Sequence, residues 1–177
     1  MAIIGLIGFK QVGKSTAAKY LQGKYDFSRH NFKDALVAEI KQNFPDLLRE
    51  LSIIYSMTVD ELFENKPPAM RALMQNYGTQ VRRGDRDLYW VEQWVNGCLA
   101  LPKIVVDDVR FLNEAEAVKK LGGILIRLTR PDITSGGTHS SETNQLEIVA
   151  DHTIECKAGE HETLYAALDK IILPLEN

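Results

Sequence analysis

The sequence predicts a three-layer α/β fold around a parallel sheet, and three observations carry that prediction. The first is residues 8 to 15, Gly8-Phe9-Lys10-Gln11-Val12-Gly13-Lys14-Ser15, which read G-x-x-x-x-G-K-S, the phosphate-binding P-loop. The second is what flanks the loop: Ala2-Ile3-Ile4-Gly5-Leu6-Ile7 is an apolar run of buried-strand length, and Thr16-Ala17-Ala18-Lys19-Tyr20-Leu21 begins a helix. The third is alternation, because strand-like segments at 103–108, 124–128 and 151–155, the first two strongly apolar, are separated by helix-patterned segments. The expectation is a P-loop NTPase fold in a single domain over 1–177, with a helical insert at about 33 to 100 and a short lid at about 131 to 144.

In chain order, strand, glycine loop and helix aim backbone N–H groups and a helix N-terminus at one point, which suits an anion. Lys14 is expected to reach β- and γ-phosphates and Ser15 to ligate Mg²⁺. The rest of the cradle is Gly8, Lys10, Val12, Gly13 and Thr16. Ala17, Tyr20 and Leu21 share a stripe of the helix, which should end near Gly23. Residues 24 to 32 read as a loop and a short strand with Phe27 and Phe32 inward. Leu36, Val37, Ile40 and Phe44 mark a helix that Pro45 ends or renews. The next helix offers Leu47, Leu48, Leu51, Ile54 and Tyr55 as core. Thr58 to Glu61 is a capping box, and Pro68 suits a helix first turn.

Residues 69 to 96 hold Arg71, Gln75, Thr79, Arg82, Arg83, Arg86, Trp90 and Trp94 beside an apolar face of Met70, Leu73, Met74 and Tyr77. They read either as a solvated helical hairpin with surface ion pairs or as an arginine-lined pocket for phosphate and base. Lys103 to Val106 runs into Asp107-Asp108, where Asp108 is the candidate metal carboxylate and a turn aspartate the alternative. Arg110 follows, then a helix with Asn113 as N-cap and Glu116 at the capping-box position, ending at Gly122-Gly123. Arg127 inside the next strand needs a partner, phosphate or carboxylate. Arg130 lies just beyond it, and the small polar segment around Ser135 to Ser141 reads as a lid or as a plain loop. Glu162 to Leu173 closes the chain as a helix.

A net charge of -3 argues against broad nucleic-acid binding. The two cysteines, Cys98 and Cys156, have no metal-ligand spacing and read as buried thiols of a reducing compartment. No signal segment or membrane span is expected, so the predicted location is cytoplasmic, or the host-cell cytoplasm for a phage-encoded chain. A homodimer stays open.

Several blocks together resemble a known family. They are Phe32-Lys33-Asp34-Ala35-Leu36, Gln75-x-x-Gly78-Thr79-x-x-x-Arg83, Trp90-Val91, Asp108-Val109-Arg110-Phe111-x-Asn113-Glu114 and His139-x-Ser141-Glu142. This pattern resembles the deoxynucleoside monophosphate kinases of large DNA bacteriophages over nearly the whole chain. The resemblance implies transfer of the ATP γ-phosphate to a 5′-deoxynucleotide, with the helical insert as acceptor-binding region. It implies Lys33, Asp34, Arg71, Gln75, Thr79, Arg83, Trp90, Arg110, His139 and Glu142 as substrate contacts. It implies Lys14, Arg110, Arg130 and Asp108 as catalytic groups, Arg127 on the ATP phosphates, and Ser15 with Asp108 on Mg²⁺. Lys33 and Val37 depart from the family's alanine and lysine at those places.

Rival readings are a P-loop kinase for phosphomevalonate or dephospho-coenzyme A, and a non-catalytic nucleotide-binding module. A GTPase lacks its Asn-Lys-x-Asp motif here, and a motor ATPase lacks its Asp-Glu pair.

Overall fold

The computed structural model describes residues 1–78, 86–133 and 144–175. Among these residues the chain forms five strands and eight α-helices and divides into two compact units, Met1–Asn31 with Val95–Asn177, and Phe32–Trp94.

The first unit is the sheet and its helices. It holds β1 (Ala2–Ile7), α1 (Lys14–Tyr25), β2 (Ser28–Arg29), β3 (Lys103–Val106), α7 (Leu112–Lys120), β4 (Ile124–Thr129), β5 (His152–Glu155) and α8 (His161–Ile172). The strands lie in the order β2-β3-β1-β4-β5, and every pairing is parallel. Parallel strands need crossovers, so both faces are covered and the central strands are mostly apolar, with Arg127 of β4 the exception inside a strand. On one face α1 supplies Ala17, Ala18 and Leu21 and α8 supplies Leu164, Leu168 and Ile172. These pack on Ile4, Leu6, Val105, Ile126, Leu128 and Ile154. On the other face Val118 of α7 packs beside Gly5 of β1.

One local expectation holds in this unit, a helix end near Gly23, and one is corrected. α1 passes Gly23 and ends at Tyr25, where Asp26 takes the left-handed conformation (φ 59) and caps back to the Leu21 carbonyl. The N-cap of α7 is Phe111, not Asn113. Glu114, buried, accepts from the N–H groups of Phe111 (3.2 Å) and Arg110 (2.8 Å), so the reaching carboxylate sits two residues before Glu116.

The second unit is helical: α2 (Phe32–Asn43), α3 (Pro45–Tyr55), α4 (Val59–Asn65), α5 (Pro68–Gln75) and the first part of α6 (Tyr89–Cys98). Phe32 therefore opens a helix instead of closing a strand. Pro45 and Pro68 open their helices, and Thr58 with Glu61 forms the expected capping box. Ile40, Leu48, Leu51, Leu62, Phe63, Met70, Tyr77 and Trp90 form the core. Ile54 and Leu47 were expected there and are exposed, Ile54 at 70%. At about 100° per residue, each lies about 100° or more around the helix from Leu48, at the centre of the inward stripe.

Candidate active site

The loop between β1 and α1 has the backbone its glycines foretell. Gly8 has φ 142, and a Cβ there would meet the Leu128 carbonyl oxygen at 2.3 Å. Gly13 has φ 103, and between them Gln11 bears a left-handed φ of 69. The Lys14 ammonium curls back over this loop and donates to the carbonyls of Gly8 and of Phe9 (2.8 Å). Both partners are neutral acceptors, so an anion in the loop would compete for the ammonium on favourable terms.

Ser15, on the first turn of α1, donates from Oγ to Oδ2 of Asp107 at 3.1 Å. The carboxylate that meets the P-loop serine is thus Asp107, one residue before the Asp108 singled out from the sequence. Asp107 follows directly on β3 and is 4% exposed. It is oriented from both sides. Arg29 of β2 grips it as a fork, with Nε on Oδ1 at 3.2 Å and Nη2 on Oδ2 at 2.6 Å. Its backbone N–H donates to the buried Asn31 side chain at 3.0 Å. A hydroxyl and a carboxylate 3.1 Å apart at a phosphate loop are a hard-oxygen donor pair, which fits Mg²⁺ completed by phosphate oxygens and water.

The two arginines near the end of β4 part ways. Arg127 was expected on phosphate or a carboxylate, and its Nη2 instead donates to the backbone carbonyls of Gln145 (3.0 Å) and Ile148 (2.6 Å). Burial holds its guanidinium below the ordinary arginine value. Arg130 turns to the P-loop. Its Nη1 donates to the Gln11 carbonyl at 3.0 Å, while Asp132 binds its Nε and Nη2 at 3.0 and 2.5 Å. That bidentate hydrogen bond raises the Arg130 pKa and lowers that of Asp132.

In the helical unit, Arg71 and Gln75 are both exposed on α5, away from its buried Met70. Lys33 and Asp34 lie in the first turn of α2. Trp90 belongs to the core. It is 3% exposed and its indole N–H donates to the Gly78 carbonyl at 2.8 Å, so it offers no open ring face to a substrate. Arg110 is half-buried after β3. Thr79, Arg83, His139 and Glu142 lie outside the described residues, as do residues 134 to 143 of the segment at about 131 to 144 expected as a lid.

Sequence reasoning missed Arg29, Asn31 and Asp107. The only available signal was the tandem Asp107-Asp108: residues of a strand alternate faces, so one of two successive carboxylates points toward α1. Choosing between them requires knowing which face of β3 is covered by α1.

No protein-family model matches the chain. A protein of Acanthamoeba polyphaga mimivirus bearing the name "Putative deoxynucleotide monophosphate kinase" is 34% identical over 160 residues, covering 80% of this chain and 81% of its own. Among solved structures, TT1252 from Thermus thermophilus superposes with TM-score 0.52 at 19% identity over 98% of this chain and 97% of its own, a likeness of fold. Dephospho-CoA kinase from Campylobacter jejuni aligns with TM-score 0.46 at 14% identity, over 97% of this chain and 98% of its own, which assigns this chain no acceptor. With the P-loop, the parallel sheet and the mimivirus relative in agreement, the chain is a P-loop kinase that belongs to the deoxynucleoside monophosphate kinase family.

Proposed function

We propose that the protein transfers the γ-phosphoryl group of ATP to the 5′-phosphate of a deoxynucleoside monophosphate, yielding ADP and the deoxynucleoside diphosphate. An oxygen of the acceptor phosphate attacks the γ-phosphorus while the bond to the β,γ-bridging oxygen breaks. That acceptor oxygen is already ionised near neutral pH, so the reaction needs position and charge more than a strong base. Lys14 leaves its carbonyl partners for the β- and γ-phosphates. Arg130, already against the loop at Gln11, neutralises charge on the moving phosphoryl. Ser15 and Asp107 would hold Mg²⁺, which when bound would offset phosphate charge. Arg110, Lys33, Asp34, Arg71 and Gln75 serve the acceptor, as do Thr79, Arg83, His139 and Glu142.

The observation that carries this reading is the Ser15–Asp107 pair at a P-loop whose lysine donates to the loop carbonyls of Gly8 and Phe9. The mimivirus relative's name supports the choice of acceptor. An ADP-release assay across the deoxy- and ribonucleoside monophosphates, with phosphomevalonate and dephospho-coenzyme A beside them, tests it. ADP should form fastest with one or more deoxynucleotides and only slowly with ATP alone. Equal turnover of phosphomevalonate or dephospho-coenzyme A would overturn the acceptor assignment.

A further inference from the structure

Arg29 stands outside the motifs that mark this chain, yet it holds the carboxylate on which the P-loop serine rests. Asp107 is almost fully buried, and a buried carboxylate without a cation beside it is costly. Arg29 supplies that cation. Its guanidinium reaches both oxygens, and its own side chain remains 31% exposed. The backbone fixes the pair as well. Arg29 registers with Val105, His30 N–H donates to the Val105 carbonyl at 3.1 Å, and Asn31 receives the Asp107 N–H. The arrangement is built into the β2–β3 pairing and is not a loose surface ion pair.

One carboxylate thus faces two cations, a resident guanidinium and the metal that Ser15 and Asp107 fit. Oδ2 already accepts from Arg29 on one side and Ser15 on the other. A divalent ion arriving alone would meet a neutralised carboxylate and a repelling charge. A divalent ion arriving with nucleotide brings phosphate charges that offset the guanidinium.

We propose that Arg29 is a positioning residue that orients Asp107 toward Ser15 and sets the order of metal entry, keeping bare divalent cation off the site so that metal enters with the nucleotide phosphates. The proposal rests on the reading of this loop as an Mg·ATP site.

Binding of Mn²⁺ as a stand-in for Mg²⁺, followed by electron paramagnetic resonance on the full chain, tests it without turnover. The wild type should bind Mn²⁺ at least about tenfold more tightly with the β,γ-imido analogue of ATP than without it. Arg29→Met, which removes the charge, should strengthen nucleotide-free Mn²⁺ binding by about tenfold. Arg29→Lys, which keeps the charge and loses the fork, should stay within about twofold of wild type in that measurement. Unchanged or weaker binding by folded Arg29→Met overturns the proposal, as does Arg29→Lys behaving like Arg29→Met.

The wild type carries the test even where Arg29→Met does not fold. The Arg29 Nε–H resonance should stay sharp when Mn²⁺ is added alone and broaden once the analogue is added. Broadening by Mn²⁺ alone overturns the order of entry. An analogue that fails to bind wild type would instead sink the Mg·ATP reading and the order of entry with it. Normal analogue binding with Mn²⁺ affinity indifferent to Arg29→Met sinks the role of Arg29 only.

Discussion

The two ends of α1 use polar side chains in opposite ways. At the N-terminus, Lys14 and Ser15 rest on the carbonyls of Gly8 and Phe9 and on the Asp107 carboxylate, partners that phosphate and metal can replace. Toward the C-terminus, Tyr20, Lys24 and Tyr25 converge on Asp169 of α8. All three donate to its carboxylate at 2.7 Å, Lys24 also donates to the Tyr20 hydroxyl, and the Tyr20 ring stacks on Tyr165 at 4.0 Å. One end keeps its charges exchangeable and the other locks them between two helices. Substitutions should therefore divide: loss of activity at the first end, loss of stability at the second.

The largest expected break is Lys14→Ala. On the proposed reading its ammonium acts most when the phosphoryl is in transit, so kcat should fall by roughly 10³-fold or more. The thermal midpoint should move by a few °C at most, because the Lys14 bonds to the Gly8 and Phe9 carbonyls lie in the part-buried loop and not in the core. A large fall in midpoint would show that this end is structural too.

Next comes the choice between neighbouring carboxylates. Asp107→Asn should cost about 10²-fold in kcat and raise the Mg²⁺ concentration needed for half-maximal rate, whereas Asp108→Asn should cost under about tenfold. The reverse order in a paired assay would return the role to Asp108.

A smaller contrast separates Arg130 from Arg127, three residues apart. Arg130→Ala should lower kcat by about 10- to 100-fold with the midpoint unmoved. Arg127→Met leaves the carbonyls of Gln145 and Ile148 without their charged donor. It should lower unfolding free energy by about 1.5–3 kcal/mol while activity per folded molecule holds. Urea melts beside activity assays decide it, and the assignment fails if both variants lose the same quantity.

These contrasts explain what could be read in advance. The phosphate loop was legible because it is contiguous: eight residues specify its own backbone, and the flanking apolar run and helix start specify its setting. The helix starts at Pro45, Thr58 and Pro68 were legible for the same reason, since caps act locally. What escaped depends on which face of an element the core covers. Asp107 and Asp108 are neighbours in sequence, and it is Asp107 that meets Ser15. Ile54 looks like core until the inward stripe of α3 is known. Arg127 and Arg130 look alike in sequence, and only the carbonyls of Gln145 and Ile148, brought back beside β4, tell them apart. The grip of Arg29 on Asp107 spans 78 residues, and that of Lys24 on Asp169 spans 145. No local pattern announces either.

The smallest effect lies at the locked end of α1 and reads out against pH. The hydrogen bond from Lys24, then that from Tyr20, lowers the Asp169 pKa from 3.8 to about 2. A carboxyl whose pKa is depressed in the folded state binds its proton less readily there than in the unfolded chain. Its stabilisation is therefore complete above about pH 5 and drains away as pH falls through 4 toward 2. Asp169→Asn should be less stable than wild type at pH 7, and the gap should narrow steadily between about pH 4.5 and pH 2.5. Other carboxylates titrate in both proteins and cancel in the difference. The Lys24 side chain is 46% exposed, so water and salt screen the pair and the gap should also shrink at high ionic strength. Urea midpoints of the two proteins across this pH range provide the measurement. A gap that stays constant with pH would mean that the Asp169 hydrogen bonds hold α1 to α8 without help from its charge.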